Sequence, residues 1–119
     1  PGVFRPVRIG DRTYVDGGVV SPVAVDAARR LGADVVIAVD ITGGVSGSAP
    51  ETTLDTIFQS INVMYSKIAA AQLSRADVVI RPKVGHIDSG DFTKRHEAIL
   101  EGETAAQAAL PKIQALLGK

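Results

Sequence analysis

Tyr14-Val15-Asp16-Gly17-Gly18-Val19-Val20-Ser21-Pro22 sets a carboxylate at the end of a β-prone run, ahead of two glycines and a helix start. Strand ends followed by glycine turns are where α/β proteins hold their chemistry. Asp16 has two readings there: a general base, or a turn carboxylate satisfied by backbone N–H groups. As a base it starts from a handicap, because a free Asp has a pKa of about 3.9 and is feeble at neutral pH. Burial beside an apolar wall raises that value. Tyr14, Val15 and Val19 are the candidates for such a wall. Gly17 and Gly18 let the backbone turn sharply and keep the carboxylate clear.

Other residues compete for attention. Ser21 next to Asp16 is a conceivable nucleophile, but Ser21-Pro22 reads first as an N-cap followed by proline at the first helical position. Ser46, in Gly44-Val45-Ser46-Gly47-Ser48, lacks the tight flanking glycines of an elbow serine and reads as a loop residue. The cluster Gly43-Gly44-x-x-Gly47 follows a strand, yet its spacing and the intervening Pro50 do not fit a dinucleotide fingerprint. His86 with Asp88, and His96 with Glu97, match no metal or acid–base spacing, and polar-loop or helix-surface roles fit them better. Asp40, at another strand end, either lines the same crevice as Asp16 or caps its strand.

The 119 residues suit one domain. Thirteen basic and thirteen acidic residues cancel, so no basic stripe points to nucleic acid. The chain contains no cysteine, which excludes disulfides and thiolate metal sites. No apolar run approaches the roughly 20 residues of a membrane span. Residues 1–6 lack the charged-then-apolar layout of a signal peptide. With 45% hydrophobic and 22% charged residues the composition is globular and not disordered.

The elements that must position Asp16 follow from pattern. Val7-Arg8-Ile9 and Thr13-Tyr14-Val15 form a hairpin about Gly10-Asp11, with Ile9 opposite Arg12 and Val7 opposite Tyr14. A helix from Ser21-Pro22 carries the stripe Ala24, Ala27, Ala28 and Leu31, and Gly32 stops it. Asp34 to Ile41 is β-branched and apolar on both faces, the mark of an interior strand covered by helices. From about Thr52 to Arg75, Leu54, Ile57, Phe58, Ile61, Met64, Tyr65 and Ile68 keep a helical period and read as core, or as the wall of an acyl channel. Asp77 to Pro82 is a second interior-type strand. Residues from about Phe92 to Leu117 give one or two helices, with Gly102 and Pro111 as break points. Such alternation predicts a layered α/β arrangement with a largely parallel sheet. Only about four strands are present, so an apolar sheet edge is left for something to extend.

Pro1-Gly2-Val3-Phe4-Arg5-Pro6-Val7, then Tyr14 to Val23, resembles the C-terminal half of bacterial patatin-like phospholipases, relatives of plant patatins and neuropathy target esterase. The likeness continues through Leu31 to Asp40 and through Asp91-Phe92-Thr93, with Ile99, Gly102 and Ala105-Ala106. It spans essentially the whole chain. It implies a three-layer α/β/α sandwich of patatin type, of which residues 1–119 are the C-terminal portion. It also implies a serine lipid acyl hydrolase (phospholipase A, lysophospholipase or esterase) working through a Ser-Asp dyad. Asp16 is the position that matches the dyad aspartate of Asp-Gly-Gly, with Gly17 and Gly18 as its turn support.

In that family the nucleophile sits in a Gly-x-Ser-x-Gly elbow before the aspartate, preceded by a glycine-rich oxyanion segment. Neither occurs in this chain. The expected partners are therefore a lipid or ester substrate, with peripheral membrane contact for access to it, and an N-terminal part carrying the serine. No cofactor or metal is implied. Without oxyanion donors and nucleophile, these residues alone are expected to hydrolyse nothing. The open sheet is expected to pair with that N-terminal part or with another copy in a homo-oligomer. The other class left open is a non-catalytic α/β module that binds a ligand or partner in the same crevice.

Overall fold

The computed structural model describes residues 4–42, 49–88 and 90–118. Ser46 and the Gly43-Gly44-x-x-Gly47 cluster lie outside them.

Strands β1 (Val7–Ile9) and β2 (Arg12–Tyr14) pair antiparallel, with Val7 opposite Tyr14 and Ile9 opposite Arg12. This is the register that a two-residue loop dictates. Gly10 has φ +60°, and among the described residues no non-glycine has a positive φ. Only the first turn position is left-handed, the sign pattern of a II′ turn. The face shared by Val7, Ile9 and Tyr14 is exposed.

Helix α1 (Val25–Arg30) starts later than Ser21-Pro22 suggests, and its N-cap, Ala24, makes no side-chain bond. The stretch before it is held in other geometry: the Val25 N–H bonds Val23 O at 2.7 Å, and Ser21 and Val23 bond the side chain of Gln72. The far end behaves as expected. Gly32 has φ +94°, the Ala33 N–H bonds Ala28 O at 3.1 Å, and the Gly32 N–H bonds Arg29 O at 3.0 Å. That is a Schellman stop. The predicted stripe needs correction. Val25 carries the burial, Ala28 packs beside it, and Leu31 is almost wholly exposed. Leu31 still makes the helical bond to Ala27 O at 3.0 Å, so it keeps its place on the helix and is exposed because no described residue packs against that end of the stripe.

Strands β3 (Ile37–Val39) and β4 (Val78–Ile80) run parallel, Ala38 opposite Val79. Val25, Val36, Ala38 and Leu73 form the core, with Val79 packed against it. Val78 and Ile80 are buried on the other face of β4, where α3 (Arg95–Leu116) packs. Ile37 and Val39 stay exposed, so β3 is covered on one face, not on two as its composition suggests. The class is broadly α/β, and among the described residues the strands form two separate two-stranded sheets.

Helix α2 (Thr53–Leu73) opens with a capping box. The Asp55 N–H bonds Thr52 Oγ1 at 3.1 Å, and the Thr52 N–H bonds Asp55 Oδ2 at 3.0 Å. Its buried residues, Ala69, Gln72 and Leu73, all lie at its C-terminal end. Leu54, Ile57, Phe58 and Met64, expected in the core, are exposed because only the last turns of α2 reach the sheet. A 3₁₀ turn (Phe92–Lys94) capped by Asp91 leads into α3, which runs unbroken through Gly102 and Pro111. Pro111 cannot donate the usual bond to the carbonyl of Gln107, yet the helix continues past it to Leu116.

Arg29 ties the three segments together. Its guanidinium donates to Asp34 O at 2.6 Å and to Asp77 Oδ2 at 2.5 Å, and the same Asp77 oxygen accepts the Val36 N–H at 2.7 Å. Packing is looser than these polar contacts. The radius of gyration is 16.6 Å, against about 13.5 Å for a compact domain of this length. The accessible surface is 8992 Å², against about 6,100 Å² from the size scaling of folded monomers.

Candidate functional site

The hairpin delivers the chain to Asp16, which is the N-cap of a 3₁₀ turn over Gly17–Val19. Asp16 Oδ1 accepts the Gly18 N–H at 2.8 Å, and Gly17 O accepts N–H groups from Val20 and Ser21 at 3.2 and 2.9 Å. Hydrogen bonding of this kind favours the charged carboxylate. Among the described residues no apolar wall covers it: Asp16, Tyr14, Val15 and Val19 are all exposed. The burial that would strengthen Asp16 as a base is therefore not supplied by these neighbours.

The two glycines differ. Neither has a positive φ. At Gly17 an added Cβ meets nothing within 4 Å. At Gly18 it would lie 3.0 Å from Cε2 of Tyr65 and 3.1 Å from Asp16 Oδ1. Gly18 thus answers a close approach by α2, whereas Gly17 answers no steric demand in this geometry.

The structure does not make Ser21 a helix cap. Its hydroxyl accepts from Gln72 Nε2 at 3.2 Å, which turns it toward α2. Gln72 Oε1 in turn accepts the Val23 N–H at 3.0 Å. Sequence reasoning passed over both Tyr65 and Gln72 as site residues. The available signal was Gln72 itself, a lone amide in the apolar run Ile68-Ala69-Ala70-Ala71-Gln72-Leu73, and its distance of seven residues from Tyr65 on one helix face.

Asp40 is the strand-end cap. Its Oδ1 accepts from the Thr42 N–H at 3.1 Å and the Thr42 hydroxyl at 2.7 Å, and its Oδ2 faces Arg81 Nε at 3.1 Å. Partial burial pulls its carboxyl upward, but Thr42 and then Arg81 outweigh this and hold it below the usual carboxylate range. Asp40, Thr42 and Arg81 line a cleft of about 430 Å³ with Ser66 and Ala70 of α2, at the C-terminal ends of both parallel strands. Ligands commonly sit there in α/β folds.

His86 does not join Asp88. Its Nε2 lies 2.6 Å from Glu97 Oε1, clipping the loop after β4 to the first turn of α3, and this bond holds the Glu97 carboxyl low. Behind this clip lies a more apolar cleft of about 540 Å³, walled by Val39, Ile41, Val84, Ile87, Phe92 and Ile99. Among the described residues no group of three or more His, Asp or Glu is placed to hold a metal, and no helix is long and apolar enough to cross a membrane.

Chemically, then, the turn offers an exposed carboxylate oriented by the Gly18 N–H, in a segment anchored to a helix. No family model matches the chain.

Proposed function

We propose that this chain supplies the aspartate of a Ser-Asp dyad in a serine lipid acyl hydrolase of patatin type, with Asp16 as the base. The serine and the oxyanion donors come from a further part of the domain, because no Gly-x-Ser-x-Gly occurs here. The observation that carries the reading is the setting of Asp16: it caps the turn after a hairpin and is oriented by the Gly18 N–H, in the sequence context that resembles the family's dyad motif.

The finer fold belongs to the same proposal. Helices lie on both faces of β4, while Ile37 and Val39 of β3 and the N-terminal turns of α2 await cover. A three-layer sandwich completed by an N-terminal part would supply it. The excess of about 2,900 Å² of accessible surface over a folded monomer of this mass is the size of a substantial interface.

The test is Asp16→Asn in the complete protein, assayed on short-chain esters and phospholipid vesicles. Loss of a positioned general base lowers kcat by roughly 10²–10⁴-fold. An Asp16→Asn enzyme with wild-type turnover would sink the assignment. The apolar cleft beside α3 favours the second reading, a non-catalytic module that holds an apolar ligand. A complete protein without a serine elbow, inert toward esters, would select it.

A further inference from the structure

Gln72 is only 7% exposed, the one buried polar side chain among the described residues. A leucine there would serve packing, so the amide needs another explanation. Burying an amide is unfavourable unless its donors and acceptor are satisfied. Here they are: Oε1 takes the Val23 N–H at 3.0 Å, while Nε2 gives to Ser21 Oγ at 3.2 Å and reaches Val20 O at 3.5 Å. Because a backbone N–H can only donate, Val23 fixes which way the amide faces.

All three partners lie in Val20 to Val23, and the N–H groups of Val20 and Ser21 close back on Gly17 O. Asp16 to Val23 is thus one hydrogen-bonded unit, and Gln72 is its polar anchor to α2. Two helical turns earlier, on the same face of α2, Tyr65 sits against Gly18. Resting on the dyad reading of Asp16, we infer that Gln72 and Tyr65 are positioning residues: they grip the Asp16 turn from one helix face and set where its carboxylate stands relative to the serine.

The experiment uses the complete hydrolase with a soluble p-nitrophenyl ester and compares Gln72→Leu, Gln72→Glu, Ser21→Ala and Asp16→Asn. The readouts are kcat, KM, the pH profile of kcat/KM, and melting temperature. Gln72→Leu removes the acceptor for Val23 and the donor to Ser21. Displacements near 1 Å cost up to about 10²-fold, so kcat falls by roughly ten- to a hundredfold while KM stays nearly constant. The acid limb of the profile moves as the surroundings of Asp16 change. Gln72→Glu, protonated in this buried place, reproduces both hydrogen bonds and restores most of kcat.

Ser21→Ala removes one partner only, keeps the fold, and gives a smaller loss in the same direction. It carries the test if Gln72→Leu does not fold. A lower melting temperature with unchanged kcat and pH profile in the Gln72 and Ser21 variants would leave Gln72 a structural residue and overturn the inference. An active Asp16→Asn enzyme would instead overturn the dyad reading beneath it, so the two failures are distinguishable.

Discussion

The apolar stripe on α2 divides into two parts that should answer mutation in opposite ways. Leu73 is 5% exposed, whereas Leu54, Ile57, Phe58 and Met64 keep 49 to 66% of their surface open. Leu73→Ala removes packed methyl groups from the core formed with Val25, Val36 and Ala38, at about 2–5 kcal/mol. The second perturbation is Leu54→Gln, Ile57→Gln, Phe58→Gln and Met64→Gln together, with glutamine chosen to keep helix propensity. In these residues alone, exposed substitutions each fall within about 0.5 kcal/mol of neutral. If an N-terminal part covers the stripe, the open area amounts to roughly two whole side chains, each stabilising by about 1.5–3 kcal/mol when buried. The fourfold variant then destabilises the complete domain by about 3–6 kcal/mol.

The assay is urea unfolding followed by far-UV circular dichroism, on residues 1–119 and on the complete protein. Leu73→Ala lowers both midpoints. The fourfold variant lowers only that of the complete protein, and it also reduces self-association of the shorter chain in light scattering. Equal losses in both proteins would mean that the stripe is already core, contrary to the structure. No loss in either would mean that nothing covers it, and the half-domain reading would fall.

Two further outcomes follow from the Asp16 turn and from the contacts of Asp77 with Arg29 and Val36. Gly17→Ala is stable or gains about 0.4–1 kcal/mol, since a Cβ there meets nothing and the φ is ordinary. Gly18→Ala lowers the melting temperature because the Tyr65 ring must move, and Tyr65→Leu added to it relieves the loss. Equal behaviour of the two alanine variants would refute the contact. The Asp77 carboxyl is held below the usual carboxylate range first by the Val36 N–H, against some desolvation, and then by Arg29. A depressed folded pKa contributes stability above the unfolded value of about 3.9, and that contribution is lost as pH falls through the folded value. Wild type should therefore lose stability more steeply below about pH 4 than Asp77→Asn, which starts lower at pH 7. Parallel urea midpoints across that range would remove Asp77 from the acid response.

What could be read from sequence was what neighbouring residues decide among themselves. The two-residue loop at Gly10-Asp11 fixes the hairpin register, Gly32 stops α1, and the period of α2 marks one face. Periodicity says which side chains share a face, but not whether anything lies against it. For that reason Leu54 and Phe58 were expected inside and are outside. Ser21-Pro22 failed for a different reason: its partner Gln72 lies 51 residues away and outcompetes the local cap. The two-sided apolar composition of β3 likewise describes a neighbourhood that these residues supply on one face only.

The polar and apolar halves of the site stand at different stages, and this bears on how Asp16 would work. Among the described residues no buried side-chain polar atom lacks a partner. The Gly18 N–H, the Gln72 anchor and the capping box are all made within these 119 residues. Apolar cover is what the described residues do not supply, on the N-terminal turns of α2, on one face of β3 and around Asp16 itself. Hydrogen bonding, that of the Gly18 N–H included, holds the exposed Asp16 carboxyl below the usual carboxylate range, so it stays charged and weakly basic. Bringing up a second body of chain would dry the same surface that lacks packing, raising the basicity of Asp16 without moving it. On the proposed reading, completion of the core and activation of the base are then one event, and the orientation of Asp16 is set before that event by α2.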